Sequence, residues 1–316
     1  MSLYYQDETI TLHQGDSLDV ARTLNSGSVD CIVTSPPYYG LRDYGNEGQY
    51  GLEESPAAYV ETMRALFSEL RRVLADDGTL WLNIGDSYYS GRGNPGPNSA
   101  DSKQGARRGW PRALDKPGQP WGQKKGLLGI PWRVAFALQD DGWILRNSII
   151  WHKLNAMPES VTDRLSGRHE NLFMFSKGQK YWFDLDPIRT EHAESTVAAA
   201  SRARIPYAAP EQRPNTKTRA MHKQGANPGD VWSINTQPFG GAHFAVMPQE
   251  LARRAIVAGC KPSGTVLDPF SGSGTTGLVA QNNGRKYVGI DISADYLKLS
   301  LETRLRNAAL DFGGAA

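Results

Sequence analysis

Leu267-Asp268-Pro269-Phe270-Ser271-Gly272-Ser273-Gly274-Thr275-Thr276-Gly277 is the stretch that decides the fold. Thr265-Val266-Leu267-Asp268 reads as a buried strand and Thr275 to Asn283 as a helix, so a glycine-rich turn leads from one into the other. Glycines let backbone approach a ligand closely, and a helix start offers free N–H groups and a positive dipole end. The turn lacks the Gly-Lys-Ser/Thr ending of a phosphate-binding loop, and its glycine spacing misses the dinucleotide fingerprint. The next strand, Lys286-Tyr287-Val288-Gly289-Ile290-Asp291, ends in an acid that can hold the two ribose hydroxyls of a nucleoside, and Ile292 can cover an adenine face. Asp291 can equally cap a helix that starts near Ser293. Together the turn and the acid indicate a nucleoside-containing cofactor.

Outward from this point the chain alternates. Thr9 to His13 is a strand, Val20 to Leu24 a short helix, and Val29-Asp30-Cys31-Ile32-Val33-Thr34 a β-branched strand that stops at Pro36. Ser55-Pro56 starts a helix whose apolar face is Tyr59, Met63, Leu66, Phe67, Leu70, Val73 and Leu74, with Gly78 as its expected stop. Strands follow at Thr79–Ile84, Trp143–Trp151 and Asn171–Ser176, with helices at Ile130–Leu138, Met247–Ala258 and Ser293–Ala309. Seven strands alternating with helices predict a doubly wound, mainly parallel α/β sheet. Two stretches break the pattern, from Tyr88 to about Gln123 and from Thr190 to Gly229, both read as irregular.

The chain has 316 residues, of which 39% are apolar, enough for a real core. No run is long and apolar enough to span a bilayer, and the start lacks a signal-peptide pattern, so an intracellular soluble protein is expected. Cys31 and Cys260 are too few for a disulfide framework and match no zinc spacing, which predicts two reduced core cysteines and no metal site. The net charge of +2 is unevenly spread. Arg92 to Lys125 holds eight basic residues and two acids, a net +6 that leaves the rest of the chain at −4. Such a stretch suits a polyanion, although a solvated charged loop reads the same way.

Thr34-Ser35-Pro36-Pro37-Tyr38-Tyr39-Gly40 follows the strand that ends at Thr34. Two prolines fix the backbone and remove two N–H donors, leaving carbonyls without competition. A serine hydroxyl and a free carbonyl can together accept both hydrogens of an –NH2 group, and the adjacent tyrosine offers a flat face for a base. A rigid turn is the other reading of the same string.

With both motifs in view, Asp268-Pro-Phe-Ser-Gly-Ser-Gly-Thr-Thr resembles the S-adenosylmethionine motif of DNA amino-methyltransferases. Thr34-Ser-Pro-Pro-Tyr resembles their catalytic motif, in the variant with Ser at the first place. The catalytic motif comes first here, which resembles the circularly permuted β-type arrangement. Gly15-Asp16-Ser17 is similar to the acidic turn near the cofactor adenine, and His243 to Pro248 to the segment, with Phe244, that lines the methionine moiety. The resemblance covers about residues 8–90, 127–188 and 230–308.

It implies a methyltransferase sheet with inserted target-recognition loops. The catalytic half would span 1–90, a basic insertion 91–126, a continuation of the sheet 127–188, a second insertion 189–230 and the cofactor half 231–316. Ser35, Pro36, Pro37 and Tyr38 would be catalytic. Asp16, Phe244, Asp268, Pro269, Phe270, Ser271, Gly272, Ser273, Gly274, Thr275, Thr276, Asp291 and Ile292 would hold S-adenosyl-L-methionine. Arg107, Arg108, Trp110, Arg112, Lys124, Lys125, Arg202 and Arg204 would contact double-stranded DNA, where basic residues interleave with aromatics. Trp151, His152 and Lys153 are open between base contacts and a strand edge, as are Arg164, Arg168 and His169 between phosphate contacts and solvent.

The implied activity is direct methyl transfer to the exocyclic amine of a flipped base. Ser at the first motif position resembles the cytosine-N4 enzymes, with adenine-N6 the alternative. Transfer to RNA or a protein amide, and a non-catalytic DNA-binding module, are further alternatives. Cytosine-C5 chemistry needs a cysteine after a proline, and neither cysteine follows one. A prokaryotic or phage cytoplasm is the implied setting. A cognate restriction endonuclease and a monomeric or homodimeric state are left open.

Overall fold

A computed structural model describes residues 2–41, 45–89, 91, 118–203, 222–237 and 246–306. Among the described residues nine strands form one sheet: β1 (Ser2–Gln6), β2 (Ile10–Gln14), β3 (Val29–Thr34), β4 (Leu74–Ile84), β5 (Ile144–His152), β6 (His169–Ser176), β7 (Val231–Ser233), β8 (Thr265–Asp268) and β9 (Lys286–Asp291). Their spatial order is β1-β2-β9-β8-β3-β4-β6-β5-β7. The pairs β2–β9, β9–β8, β8–β3, β3–β4 and β5–β7 are parallel, whereas β1–β2, β4–β6 and β6–β5 are antiparallel. The mainly parallel α/β sheet agrees with the reading of the sequence.

The expected count of seven strands is corrected to nine. The two additions are edge strands. β1 is largely exposed and β7 has three residues, so neither carries the apolar alternation by which a strand is read.

Helices cover both faces. On one, α1 (Ser17–Ala21), α2 (Pro56–Val73) and α3 (Ile130–Asp140) pack on Ile32, Leu80, Leu82, Ile84, Phe173 and Phe175. On the other, α5 (Gln249–Gly259) and α6 (Thr275–Asn282) pack on Cys31, Val33, Trp81, Val266 and Tyr287. Cys31 and Val33 face one way and Ile32 the other, the strand period of two that makes a doubly covered strand read as one apolar run. Both cysteines are buried and free.

α2 begins as its sequence requires, with Ser55 accepting from the Ala58 N–H at 3.1 Å and Pro56 in the first turn. It does not run on to Gly78. The helix ends at Val73 and β4 starts at once, with an irregularity where Val29 pairs with Leu74 but Cys31 with Thr79. Gly78 belongs to this bulge, where a Cβ would meet Leu74 Cγ at 2.6 Å and the Asp30 carbonyl at 3.0 Å. The second region read as irregular contains a helix, α4 (Glu194–Ala203), over a run of alanines whose propensity outweighs the polar surroundings. The closing helix is α7 (Ala294–Ser300), continued by a π turn at Leu301–Leu305. Among the described residues no helix is long and apolar enough to cross a membrane.

β3 and β8 are adjacent and parallel, but the chain leaves them in opposite directions, β3 toward β4 and β8 toward β9. Their carboxyl ends form the switch point of the sheet, where open α/β folds leave a crevice.

Candidate active site

Both sequence motifs meet at that crevice. Thr34, the last residue of β3, donates through Oγ1 to Asp268 Oδ1 at 2.7 Å, across 234 residues of chain. Asp268, at the end of β8, also accepts from Thr276 Oγ1 at 2.8 Å and the Phe270 N–H at 3.0 Å. Burial pushes its carboxyl up, and the two threonine hydroxyls oppose that shift. A second link joins the halves, Ser17 Oγ donating to the Pro269 carbonyl at 2.6 Å.

The cleft above this junction has a volume of about 800 Å³. Its wall includes Ser35, Pro36, Pro37 and Tyr38 from the first motif and Asp16 near them in sequence. Asp268, Pro269, Phe270, Ser271, Gly272, Ser273, Thr275, Thr276, Asp291 and Ile292 line it from the other side. Gly274 lies behind the wall. Its φ of +75° starts α6, and a Cβ there would meet Ser300 at 2.8 Å, so glycine here serves helix packing. Phe244, Arg107, Arg108, Trp110, Arg112 and Arg204 lie outside the described residues, as does the side chain of Arg202. Lys124 and Lys125 are exposed, and Lys125 Nζ lies 2.5 Å from Asp163 in the β5–β6 connection.

Asp291 ties the glycine turn to the start of α7. Oδ2 accepts from the Gly272 N–H and Oδ1 from the Ser293 N–H, each at 2.8 Å, while Ser293 itself caps α7. A carboxylate offers about four acceptor sites, so the Asp291 oxygens keep lone pairs for ligand hydroxyls. Burial pushes Asp291 up to about 6, against its backbone hydrogen bonds. Asp16 accepts from the N–H groups of Leu18 and Asp19, and Tyr50 stacks edge-on to Phe270 with centroids 5.1 Å apart. Among the described residues the wall carries five carboxylates (Asp16, Glu159, Glu170, Asp268, Asp291) against one ammonium, Lys153. That balance suits a nucleoside ligand bearing a positive charge and opposes a polyphosphate.

In the Ser-Pro-Pro-Tyr turn, Tyr59 Oη donates to the Pro37 carbonyl at 2.9 Å, whereas no described group donates to the Pro36 carbonyl. Ser35 Oγ donates to Tyr38 Oη at 3.4 Å, and Tyr38 Oη donates to Glu170 Oε2 at 2.6 Å. Asn83 Nδ2 reaches the same Glu170 oxygen at 3.1 Å, and Lys153 pairs with Glu170 Oε1. Burial and the Glu170 charge push the Tyr38 phenol well up, so it stays protonated. Gly85 backs its ring, since a Cβ there would meet Cε2 at 2.5 Å.

Asn83, Gly85 and Glu170 are the residues that sequence reasoning missed. Asn83 carried a signal, a polar residue inside Leu80-Trp81-Leu82-Asn83-Ile84. Glu170 carried none, because antiparallel pairing of β4 with β6 brings it in from 87 residues away. Lys153, open in the sequence, lies on the cleft wall with its ammonium 4.8 Å from the Trp151 ring centroid.

This is the crevice of a methyltransferase sheet, and comparison with known proteins specifies the class. The family model described as DNA methylase, for N6 and N4 methyltransferases, matches residues 29–302, and the chain belongs to that family. The family depends on S-adenosyl-L-methionine. The chain is 48% identical over 292 residues to the type II methyltransferase M.Cfr9I of Citrobacter freundii, covering 92% of this chain and 86% of that protein. It is 45% identical over 294 residues to M.SmaI of Serratia marcescens, covering 92% and 89%. In fold it is similar to the PvuII cytosine-N4-specific DNA methyltransferase, with TM-score 0.63, 18% identity and 98% and 94% of the two chains covered. It is also similar to a putative DNA modification methylase of Thermus thermophilus solved with S-adenosyl-L-methionine, with TM-score 0.56, 21% identity and 96% of each chain covered.

Proposed function

We propose that the chain is a site-specific type II methyltransferase that methylates the exocyclic N4 amine of cytosine in duplex DNA, with the target base flipped into the cleft. The observation that carries this reading is the polarity of the Ser35 hydroxyl. Its proton points to Tyr38 Oη at 3.4 Å, so its lone pairs are left to accept, beside a Pro36 carbonyl with no described donor. Two acceptors side by side suit the two hydrogens of an –NH2 group. Ser35 and the Pro36 carbonyl hold those hydrogens and turn the nitrogen lone pair toward the cofactor side of the cleft. Tyr38, backed by Gly85, presents its ring to the base. S-adenosyl-L-methionine, when bound, supplies an electrophilic methyl group. Asp291 takes its ribose hydroxyls, and Phe270 and Ile292 flank its adenine.

A neutral serine favours cytosine N4, whose amine is already conjugated with the ring, and the name of the PvuII enzyme agrees with that choice. The insertions at 91–126 and 189–230 read the target, Arg107, Arg108, Trp110, Arg112, Lys124, Lys125, Arg202 and Arg204 supplying phosphate and stacking contacts. The setting is a prokaryotic or phage-infected cytoplasm, with the protein on DNA.

Incubation with cofactor tritiated on its methyl group tests the class of substrate. Label is expected on duplex DNA and not on RNA or protein. Label on RNA or protein alone would refute the reading.

The Asp291 site sets a pH dependence. The ionised carboxylate accepts the ribose hydroxyls, so cofactor affinity is present above about pH 6 and weakens as pH falls through it, toward tenfold per unit. The sign for the free protein is opposite, because a raised carboxyl pKa means that ionisation opposes folding, so this group's contribution to stability improves as pH falls through about 6. Calorimetric titration of cofactor between pH 5 and 8 checks the first effect, which the D291N variant is expected to abolish.

A further inference from the structure

We infer that Ser35, Tyr38 and Glu170 form a proton relay that removes the proton released when the target amine is methylated, with Glu170 as its final acceptor. The inference rests on the amine-methyltransferase reading and adds a group that gives the nitrogen's proton somewhere to go.

The donors already run in one direction. Ser35 Oγ donates to Tyr38 Oη at 3.4 Å, and Tyr38 Oη donates to Glu170 Oε2 at 2.6 Å. The Ser35 hydroxyl is directed to Tyr38 and the Tyr38 hydroxyl to Glu170, its nearer acceptor, with Asn83 Oδ1 farther away at 3.4 Å. A substrate N–H resting on Ser35 Oγ completes an unbroken path from the amine to Glu170. As the nitrogen lone pair takes the methyl group, the methyl–sulfur bond of the cofactor breaks with its electron pair left on sulfur, and nitrogen carries a positive charge and two N–H bonds, one of them resting on Ser35 Oγ. That bond breaks, its electron pair stays on nitrogen, and its proton goes to Ser35 Oγ. The Ser35 proton passes to Tyr38 Oη, and the Tyr38 proton to Glu170, which becomes the neutral acid. No charged tyrosinate or serine alkoxide need persist, which matters because burial pushes the Tyr38 phenol far from ionising.

The groups around Glu170 hold it in place as an acceptor. Lys153, just after the end of β5, pairs with Oε1, and Asn83 Nδ2 from β4 donates to Oε2 at 3.1 Å. Both hold the carboxylate in place, and Asn83 Nδ2 is itself fixed by the Asn171 carbonyl at 3.2 Å. The Glu170 side chain is 15% exposed, at the cleft wall, where it can lose its proton to water as product leaves.

Single-turnover transfer to duplex DNA at saturating cofactor tests this with three variants, E170Q, E170A and Y38F. E170Q keeps an acceptor for the Tyr38 hydroxyl but is no base, and Y38F keeps the ring for stacking but cuts the line. Both are expected to slow transfer about 100-fold or more, the usual yield of general acid–base help, with cofactor dissociation constants within twofold of wild type. The slowing of wild-type transfer in heavy water is expected to vanish in both. E170Q at the wild-type rate while E170A is slow would show that Glu170 only positions Tyr38, and would overturn the relay. Equal rates for wild type and all three variants would overturn it too. Failure of the wild-type protein to label DNA at all would instead count against the proposed function.

Discussion

Ser35→Ala is expected to lower the single-turnover rate of methyl transfer by about 10²- to 10³-fold while leaving fold and cofactor affinity in place. The variant deletes one of the two acceptors that hold the amine, and loss of one preorganised polar contact at a reacting centre typically costs about 3–4 kcal/mol of barrier. The Pro36 carbonyl and the Tyr38 ring remain, so the base still enters the cleft but its amine is free to rotate. Ser35 is only half-buried and its one hydrogen bond, to Tyr38, is long at 3.4 Å, so truncation removes little stability. Tyr38 keeps its hydrogen bond to Glu170 at 2.6 Å and stays in place. Burst kinetics with duplex DNA read the rate, and a cofactor titration reads the affinity. A rate within about threefold of wild type would mean that the amine is held elsewhere.

The second large effect is on the join between the two motifs. Asp268→Ala leaves the hydroxyls of Thr34 and Thr276 and the N–H of Phe270 without their acceptor, in a place where Asp268 itself is 4% exposed. Each buried polar group left unsatisfied costs about 1–3 kcal/mol. Part of that is returned, because burial already disfavours the Asp268 charge. A net loss of about 3 kcal/mol is expected, with a fall in melting temperature of about 4–5 °C for a chain of this size. The turn over residues 268–276 would no longer be held against β3, so cofactor binding should weaken by more than about tenfold. Asp268→Asn keeps an acceptor for Thr34 and Phe270 and presents an amide to the Thr276 hydroxyl, which can rotate to accept it. It should recover more than half of the stability. Urea unfolding of the two variants separates loss of hydrogen bonding from loss of charge.

Much of this architecture is legible in the sequence because each sheet strand near the site is buried on both faces. β3, β8 and β9 occupy the ranges read from their β-branched runs, Val29–Thr34, Thr265–Asp268 and Lys286–Asp291. The elements that escape lack such a signal. β1 is solvated, β7 is three residues long, and the bulge at Gly78 depends on the neighbouring strand rather than on local sequence. α4 is hidden because its alanine run lies in a window with basic and proline-rich sequence.

The site divides in the same way. Ser35 to Tyr38, Asp16, Asp291 and most of the 268–276 turn reach one cleft because each sits at the end of its own strand, and strand ends are visible in a sequence. Gly274 has the place of a ligand contact in its motif, whereas its neighbours Ser300 and Leu305 show it serving the packing of α6. Glu170 and Asn83 depend on the β4–β6 register, a pairing between segments far apart in the chain, and no local pattern announces it. Lys153 is visible but undecidable until Glu170 stands beside it.

We propose that this cleft methylates the N4 amine of cytosine. Duplex DNA modified by the protein, digested to nucleosides and resolved by mass spectrometry, tests it most directly. N4-methyl-2′-deoxycytidine is the expected new nucleoside, formed far more slowly by the S35A variant. N6-methyl-2′-deoxyadenosine in its place would contradict it.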